Sequence, residues 1–333
     1  MMNNNIHKLS ESLNTIKVYT ILLVVLGHAL RMYTPDGAFP NQGTWLTDKL
    51  CSIIYSFHMP LFILLSGCVY GICKAKGKYT TWKLLLTNKT KRILYPYWTF
   101  GILVLAPCMV FTELSDNYIE YCIKDIMGGV NVRHLWYLLS LFEIFIIAHL
   151  IHNFLNSKDK YKVIISTLVF ALIYRYSTDF NYLQLKMTIS YLPYFIIGYY
   201  IGIGSLHIKF STPYVLVMFV VGFITWVIKY RLPESTIFVT DYVVAISLII
   251  VVFHLSQYLP NSGFLYNILL ENAMGIYLWH VIILYISFYY DLFASMGIYI
   301  QIFLMSILSL TISVILTRFS RKLHLTFLLG ESK

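Results

Sequence analysis

The chain has 333 residues, of which 58% are hydrophobic, 17% aromatic and only 12% charged, where a soluble domain carries about a quarter of its residues charged. With a mean hydropathy of +0.70, this composition excludes a water-soluble globule and requires lipid as the main solvent. The formal net charge of +10 does not point to nucleic acid, because the cations fall between apolar runs, the distribution that orients helices in a membrane.

A bilayer core about 30 Å thick requires roughly 20 apolar residues per helix. Taken in chain order, the sequence offers about ten such stretches, at 15–33, 50–73, 93–113, 134–154, 162–176, 188–205, 213–230, 237–257, 268–290 and 296–317. The expected fold is therefore all-α, a polytopic integral membrane bundle of about ten transmembrane helices in a single domain over residues 1–333, with no internal repeat. The first stretch follows Lys8 and Lys17 and ends in GHALRMY, without a small-residue cleavage site, so a retained span is expected and not a removable signal peptide. Cys51, Cys68, Cys73, Cys108 and Cys122 show no metal-ligand spacing, and most lie in apolar runs, where a thiol behaves as a small hydrophobe.

Orientation follows from charge. Residues 74–92 carry Lys74, Lys76, Lys78, Lys83, Lys89, Lys91 and Arg92 and no acid, which assigns that loop to the cytoplasm. Lys158, Lys160 and Lys162, and later Arg318, Arg321 and Lys322, fall on the same side, while Glu113, Asp116, Glu120 and Asp125 fall outside. The expected protein is a multi-pass component of the cell (inner or plasma) membrane with both termini cytoplasmic.

Ionisable residues inside spans are costly and ordinarily face the bundle interior or a wet cavity. In chain order these begin with Lys17 and His28, eleven residues apart. At about 100° per residue they share one helical face, about 16 Å apart along the axis. The second span holds His58 in YSFHMPLFILLSG, with Pro60 two residues on. Proline removes a donor and frees a carbonyl in its helix. His28 and His58 lie at comparable depth on antiparallel neighbours, an arrangement closer to a site than to two separate accidents. The bland alternative is a histidine bonded to a backbone carbonyl and a lysine that snorkels. Ser66 and Gly67 read as close helix packing. Lys91 and Arg92 in NKTKRILYPYW are either topological anchors or a cationic rim for a phosphorylated cytosolic ligand. Glu143 and His280 also lie mid-span, and an acid at that depth needs a partner, such as an imidazole it orients. His134, His149, His152, His207 and His254 lie near span ends, where the interface solvates them, and are assigned structural roles.

Four segments then resemble the membrane acyltransferase 3 family, which acylates carbohydrates at bacterial cell envelopes. They are LNTIKVYTILLVVLGH, in which Lys17 and His28 fit a basic-residue, ten-residue gap, histidine signature; FHMPLFILLSG in the second span; KRILYPYW; and HLWYLLSLF followed much later by NAMGIYLWH. They run in order from residue 13 to residue 280. One departure stands out: the family commonly has Asp where this chain has Asn14, which keeps hydrogen bonds but loses a charge that would pair with the basic residue. The resemblance implies O-acyl transfer, most often of acetyl from acetyl-CoA, to a hydroxyl of a sugar that is often lipid-linked or extracytoplasmic, in a bundle of about ten helices; no metal is expected. It does not identify the sugar.

On that reading a sugar hydroxyl, a poor nucleophile, gives its proton to an imidazole as the thioester is attacked. His28 is assigned the base. His58 orients the acceptor, donates to the thioester oxygen or relays the proton, and Lys17 contacts coenzyme phosphates or the inner end of a tunnel. Lys91 and Arg92 are assigned to acetyl-CoA. Asn14, Trp136, Glu143 and His280 are assigned supporting or substrate-binding roles. Direct transfer and an acetyl-histidine intermediate are both open. The rival readings are a secondary transporter, which also places ionisable groups at mid-membrane, and a non-catalytic accessory protein of polysaccharide assembly whose histidines only hold helices together.

Overall fold

The computed structural model describes residues 2–35, 37, 43–155, 161, 165–166, 168–170, 172–173, 182–206, 210–232 and 234–331, and the long elements among them are all helical. The principal helices are α1 (Met2–Met32), α2 (Trp45–Ala75), α3 (Trp82–Phe111), α4 (Trp136–Leu150), α5 (Leu185–Gly202), α6 (Thr212–Ile228), α7 (Glu234–Leu255), α8 (Phe264–Tyr289) and α9 (Ile298–Lys322). Among the described residues, seven helical segments are long and apolar enough to cross a bilayer: α1, α2, α3, α4 with the 3₁₀ turn Arg133–Leu135 that leads into it, most of α7, α8 and α9. α6 is apolar and shorter. The all-α membrane bundle is thus the fold. The expected stretch at 162–176 lies largely outside the described residues, as do Lys158, Lys160, Lys162 and His207.

Local chemistry explains where helices begin. α2 opens on a capping box: Thr47 N–H donates to Thr44 Oγ1 (3.2 Å) and Thr44 N–H to Thr47 Oγ1 (2.8 Å), satisfying two orphan donors at once. Pro60 stands inside α2 without ending it, so the Ser56 carbonyl loses its usual intrahelical donor. α3 corrects the sequence reading. Helix begins at Trp82, capped by Thr81, so the connection from α2 is only 76–81, and Lys83, Lys89, Lys91 and Arg92 stand on the opening turns of α3. That helix widens to π geometry at Thr90–Leu94 and Gly101–Leu105. Pro96 and Pro107 follow each stretch, and the carbonyl four residues before each, that of Arg92 or Leu103, lies inside it. The wider turn relieves the clash of ring and carbonyl.

α2 and α5 make the tightest seam. Gly67 and Gly71 on α2 meet Gly198 and Gly202 on α5, each pair in GxxxG spacing. A Cβ at Gly67 would lie 2.1 Å from the Phe195 carbonyl oxygen, and one at Gly198 2.0 Å from that of Leu64. Only a hydrogen lets these backbones approach so closely, and packing of this kind, not water exclusion, drives helix association in lipid. α1 lies against α2, α8 and α9. α8 is largely enclosed, whereas α9 turns Phe303, Ile307 and Ile315 outward. Antiparallel α1 and α2 therefore bring the C-terminal end of α1 and the N-terminal half of α2 to one depth beside α8.

Candidate active site

Four histidines from four parts of the chain meet there: His28 on α1, His58 on α2, His280 on α8 and His134 in the turn before α4. Ring centroids are 4.9 Å apart for His28 and His280, 5.6 Å for His134 and His280, and 6.4 Å for His28 and His58. His58, His134 and His280 are buried, whereas His28 keeps partial exposure. Three of them bond the carbonyl one turn back in their own helix through Nδ1: His28 to Val24 (3.0 Å), His58 to Ile54 (2.7 Å) and His280 to Ile276 (2.8 Å). His134 instead uses Nε2, 3.1 Å from the Leu278 carbonyl of α8, and the Tyr277 hydroxyl donates back to the His134 carbonyl.

These contacts assign tautomers. A carbonyl oxygen only accepts, so the bonded nitrogen of each uncharged ring carries the proton and the other holds a lone pair. His280 Nε2, 3.3 Å from His28 Nδ1, is thus an acceptor that shares the His28 N–H with Val24. Nε2 of His28 is left to take a proton. Nε2 of His58 and Nδ1 of His134 are buried without a hydrogen-bond partner among the described residues.

His28, His58 and His134 border a cavity of about 460 Å³, within the range of small-molecule sites. Its wall includes His28, His58, His134, Arg31, Arg133, Gln184 and the rings of Tyr55, Trp136, Tyr191, Tyr277 and Tyr285. Trp136 and Tyr191 lie 5.1 Å apart with an interplanar angle of 33°. Tyr55 sits 4.7 Å from His58 and 5.7 Å from His28, and its buried hydroxyl has no hydrogen-bond partner among the described residues. No three His, Cys, Asp or Glu side chains among the described residues are placed to hold a metal ion.

The expected residues divide clearly. His28, His58 and Trp136 line this cavity, and His280 stands behind it, against His28 and His134. Lys17 and Asn14, half-buried lower on α1, do not line it. Lys17 has no hydrogen-bond or ion-pair partner among the described residues, so its shared face with His28 does not put it in the same chamber. Glu143 does not orient an imidazole: Thr188 Oγ1 of α5 donates to its Oε2 at 2.6 Å. Lys91 and Arg92 are exposed on α3 at the opposite end of the bundle. The assignment of His134 to a solvated interface is corrected, because packing against α8 leaves it 4% exposed. Tyr55, Arg31 and Arg133 were missed; Tyr55 was accessible to sequence reasoning, since it precedes His58 by three residues and so shares its helical face.

At the opposite end of α2, a second cavity of about 470 Å³ is lined by Lys74, Lys78, Thr80, His152, Tyr199 and Ser205. Nδ1 of His152 and Oγ of Ser205 are buried there without partners among the described residues. Burial and the Lys74 ammonium hold His152 below its ordinary imidazole range. Arg92 lies within electrostatic range of Tyr79, the residue between Lys78 and Thr80.

The fold and these cavities define a polytopic membrane protein with a group of imidazoles beside a cavity inside the bundle. The chain matches the acyltransferase 3 family, described as an acyltransferase domain, over residues 10–318, and it belongs to that family. Its class of activity is acyl transfer. Neither a curated protein nor a solved structure matches the chain.

Proposed function

We propose that the protein transfers an acyl group, acetyl foremost, from a coenzyme A thioester supplied at the cytosolic face to a hydroxyl of a cell-envelope carbohydrate or lipid-linked glycan. It does so as a multi-pass protein of the inner or plasma membrane, with both termini cytoplasmic. The observation that carries this reading is the cavity itself, where His28 presents an uncommitted nitrogen among aromatic rings suited to the apolar faces of a sugar.

In the direct route, the acceptor oxygen attacks the thioester carbon while His28 Nε2 takes the hydroxyl proton. The carbon–sulfur bond breaks, and the imidazolium returns the proton to the departing thiolate, giving ester and free coenzyme A. The Tyr55 hydroxyl, buried and unpartnered beside His28 and His58, donates to the oxyanion that forms on the thioester oxygen. His280 accepts from His28 Nδ1–H and so stabilises that ring once it is charged. His58 positions the acceptor sugar by accepting, at its own Nε2, a hydrogen bond from a second hydroxyl beside the reacting one. Donor phosphates are held at the other end, by Lys91 and Arg92 together with Lys74 and Lys78 of the second cavity, since clustered cations bind phosphate well.

The test is acetyl transfer from radiolabelled acetyl-CoA to envelope glycan by the purified full chain in nanodiscs, paired with the acylation state of envelope glycans in cells with and without the gene. Labelled glycan ester dependent on the protein is the expected result. Absence of donor consumption with every glycan fraction, by well-folded protein, would overturn the proposal.

A further inference from the structure

The charge inside the histidine cavity is one-signed. Arg31 and Arg133 line it, and no Asp or Glu among the described residues does. Arg31 stands exposed at the mouth, one turn beyond His28, with its guanidinium carbon 5.1 Å from the centre of the Tyr55 ring. It has no hydrogen-bond or ion-pair partner among the described residues. Cation–π contact occupies the flat face of a guanidinium and leaves its in-plane N–H donors available. That same Tyr55 ring touches both His28 and His58, so the cation stands one ring away from the group assigned to catalysis.

Arg133 arrives from the other wall. It is half-buried, and its backbone takes a φ of +48°, a left-handed conformation that costs a non-glycine residue free energy and persists where surrounding structure demands it. Its Nε is buried without a partner among the described residues. Its guanidinium makes a side-chain hydrogen bond with the Tyr121 hydroxyl and lies within electrostatic range of the Asp125 carboxylate, so it is less free than Arg31, though neither of those groups lines the cavity. Both guanidinium groups act electrostatically on the single hydroxyl of Tyr285, which places them around one region of the mouth. They stand at the end of the bundle opposite Lys74 and Lys78, away from the cations that charge bias places at the inner face.

A neutral sugar needs no guanidinium, and an anion that enters the cavity is attracted by both, most strongly by Arg31, whose charge no described lining side chain balances. The geometry points to an anionic acceptor: a glycan unit bearing a carboxylate or a phosphoester, whose negative group is held between Arg31 and Arg133 while its neighbouring hydroxyl faces His28 Nε2. Arginine suits either oxyanion, through paired N–H donors. The inference rests on the acyl-transfer reading for the hydroxyl but not for the anion.

The test uses arginine modification by phenylglyoxal on the full chain in phosphatidylcholine nanodiscs, with peptide mass spectrometry following Arg31 and Arg133, and Arg318 as internal reference. The probes are methyl β-D-glucuronide, glucose 1-phosphate and the neutral methyl β-D-glucoside. The charged probes are expected to slow modification of Arg31 and Arg133 by about tenfold at ten times their dissociation constant, with Arg318 unchanged and the glucoside without effect. The stronger of the two identifies carboxylate or phosphoester as the source. In Arg31→Gln, the probe concentration that half-protects Arg133 should rise about tenfold or more. Equal protection by the glucoside, no protection by either anion, or unchanged half-protection in Arg31→Gln would overturn the proposal. Protection requires no turnover, so its failure leaves acyl transfer standing, and a failure of acyl transfer leaves the anion site standing.

Discussion

Replacing His28 with alanine separates catalysis from folding, because the structure bounds both losses. The fold loses the bond from Nδ1 to Val24 (3.0 Å) and the contact with His280 Nε2 (3.3 Å). A hydrogen bond of this sort contributes about 1 kcal/mol net, and the removed ring already borders a cavity, so little new void is created. The reaction loses its base, worth about 10²–10⁴-fold, or about 3–5 kcal/mol at the barrier. The catalytic loss therefore exceeds the structural one. Initial rates of acetyl transfer by monodisperse wild type and His28→Ala in nanodiscs, at varied acceptor, give the measurement. The proton moves only as the new bond forms, so kcat should fall by that factor while acceptor KM changes little. His28→Gln, which can keep a hydrogen bond to Val24 but supplies no base, should be as slow as His28→Ala. Near-normal turnover in a monodisperse His28→Ala would refute the assignment and move suspicion to His58 or His280.

Tyr55→Phe removes a hydroxyl but no ring, so kcat should drop by about 10²–10³-fold, the usual cost of one oxyanion donor, with thermal stability unchanged; an unchanged kcat would remove Tyr55 from the mechanism. Glu143→Gln retains an acceptor for Thr188 and should be tolerated, whereas Glu143→Ala leaves a buried hydroxyl unpartnered and should cost about 1–3 kcal/mol, read as a lower melting temperature in detergent. Gly198→Ala forces apart α2 and α5 at a carbonyl that a Cβ would approach to 2.0 Å, and overpacking of this kind costs about 1–3 kcal/mol; Gly297→Ala, where nothing lies within 4 Å, is the silent control in the same melting assay. Lys91→Gln combined with Arg92→Gln should raise acetyl-CoA KM far more than acceptor KM, and equal donor KM in folded protein would reduce the pair to topological anchors.

Depth was readable from the sequence, and partnership was not. Hydropathy and the short link between the first two spans put His28 and His58 at one level, and their rings lie 6.4 Å apart. The GxxxG spacings in SGCVYG and GYYIG were equally readable and describe the α2–α5 seam. Helical periodicity also put Lys17 and His28 on one face, yet a face meets different neighbours at different depths, and Lys17 lines neither cavity. His134 looked interfacial because it opens a span; only the Leu278 carbonyl, 144 residues away, shows it to be an inward-facing wall. Glu143 was correctly judged to need a partner, but nothing local in the sequence distinguishes Thr188 from an imidazole. The start of α3 was misjudged because seven cations masked a helix whose Leu84, Leu85 and Leu86 were apolar enough to propagate it.

The hydrogen-bond pattern also separates a catalytic group from helix glue. Histidines that hold membrane helices together do so by bonding across the interface. Two such bonds are made here, between His28 and His280 and from His134 to the Leu278 carbonyl, but His28, His58 and His280 each also bond a carbonyl of their own helix one turn back, and those bonds add nothing to the attachment of one helix to the next. Further attachments come from the glycine seam between α2 and α5, the Ser309 hydroxyl on the His280 carbonyl and Tyr277 on the His134 carbonyl. What the intrahelical bonds accomplish is orientation, aiming one nitrogen of each ring away from its own backbone. Burying the lone pairs of His58 and His134 without a partner costs free energy, and no compensating interhelical bond is made at those atoms. A bundle selected only for cohesion would gain by replacing His58 with leucine, and gains nothing from the unpartnered nitrogen of His134. Their retention beside a cavity that also holds Tyr55, Trp136 and two arginines is explained when a ligand hydroxyl supplies the missing hydrogen bond.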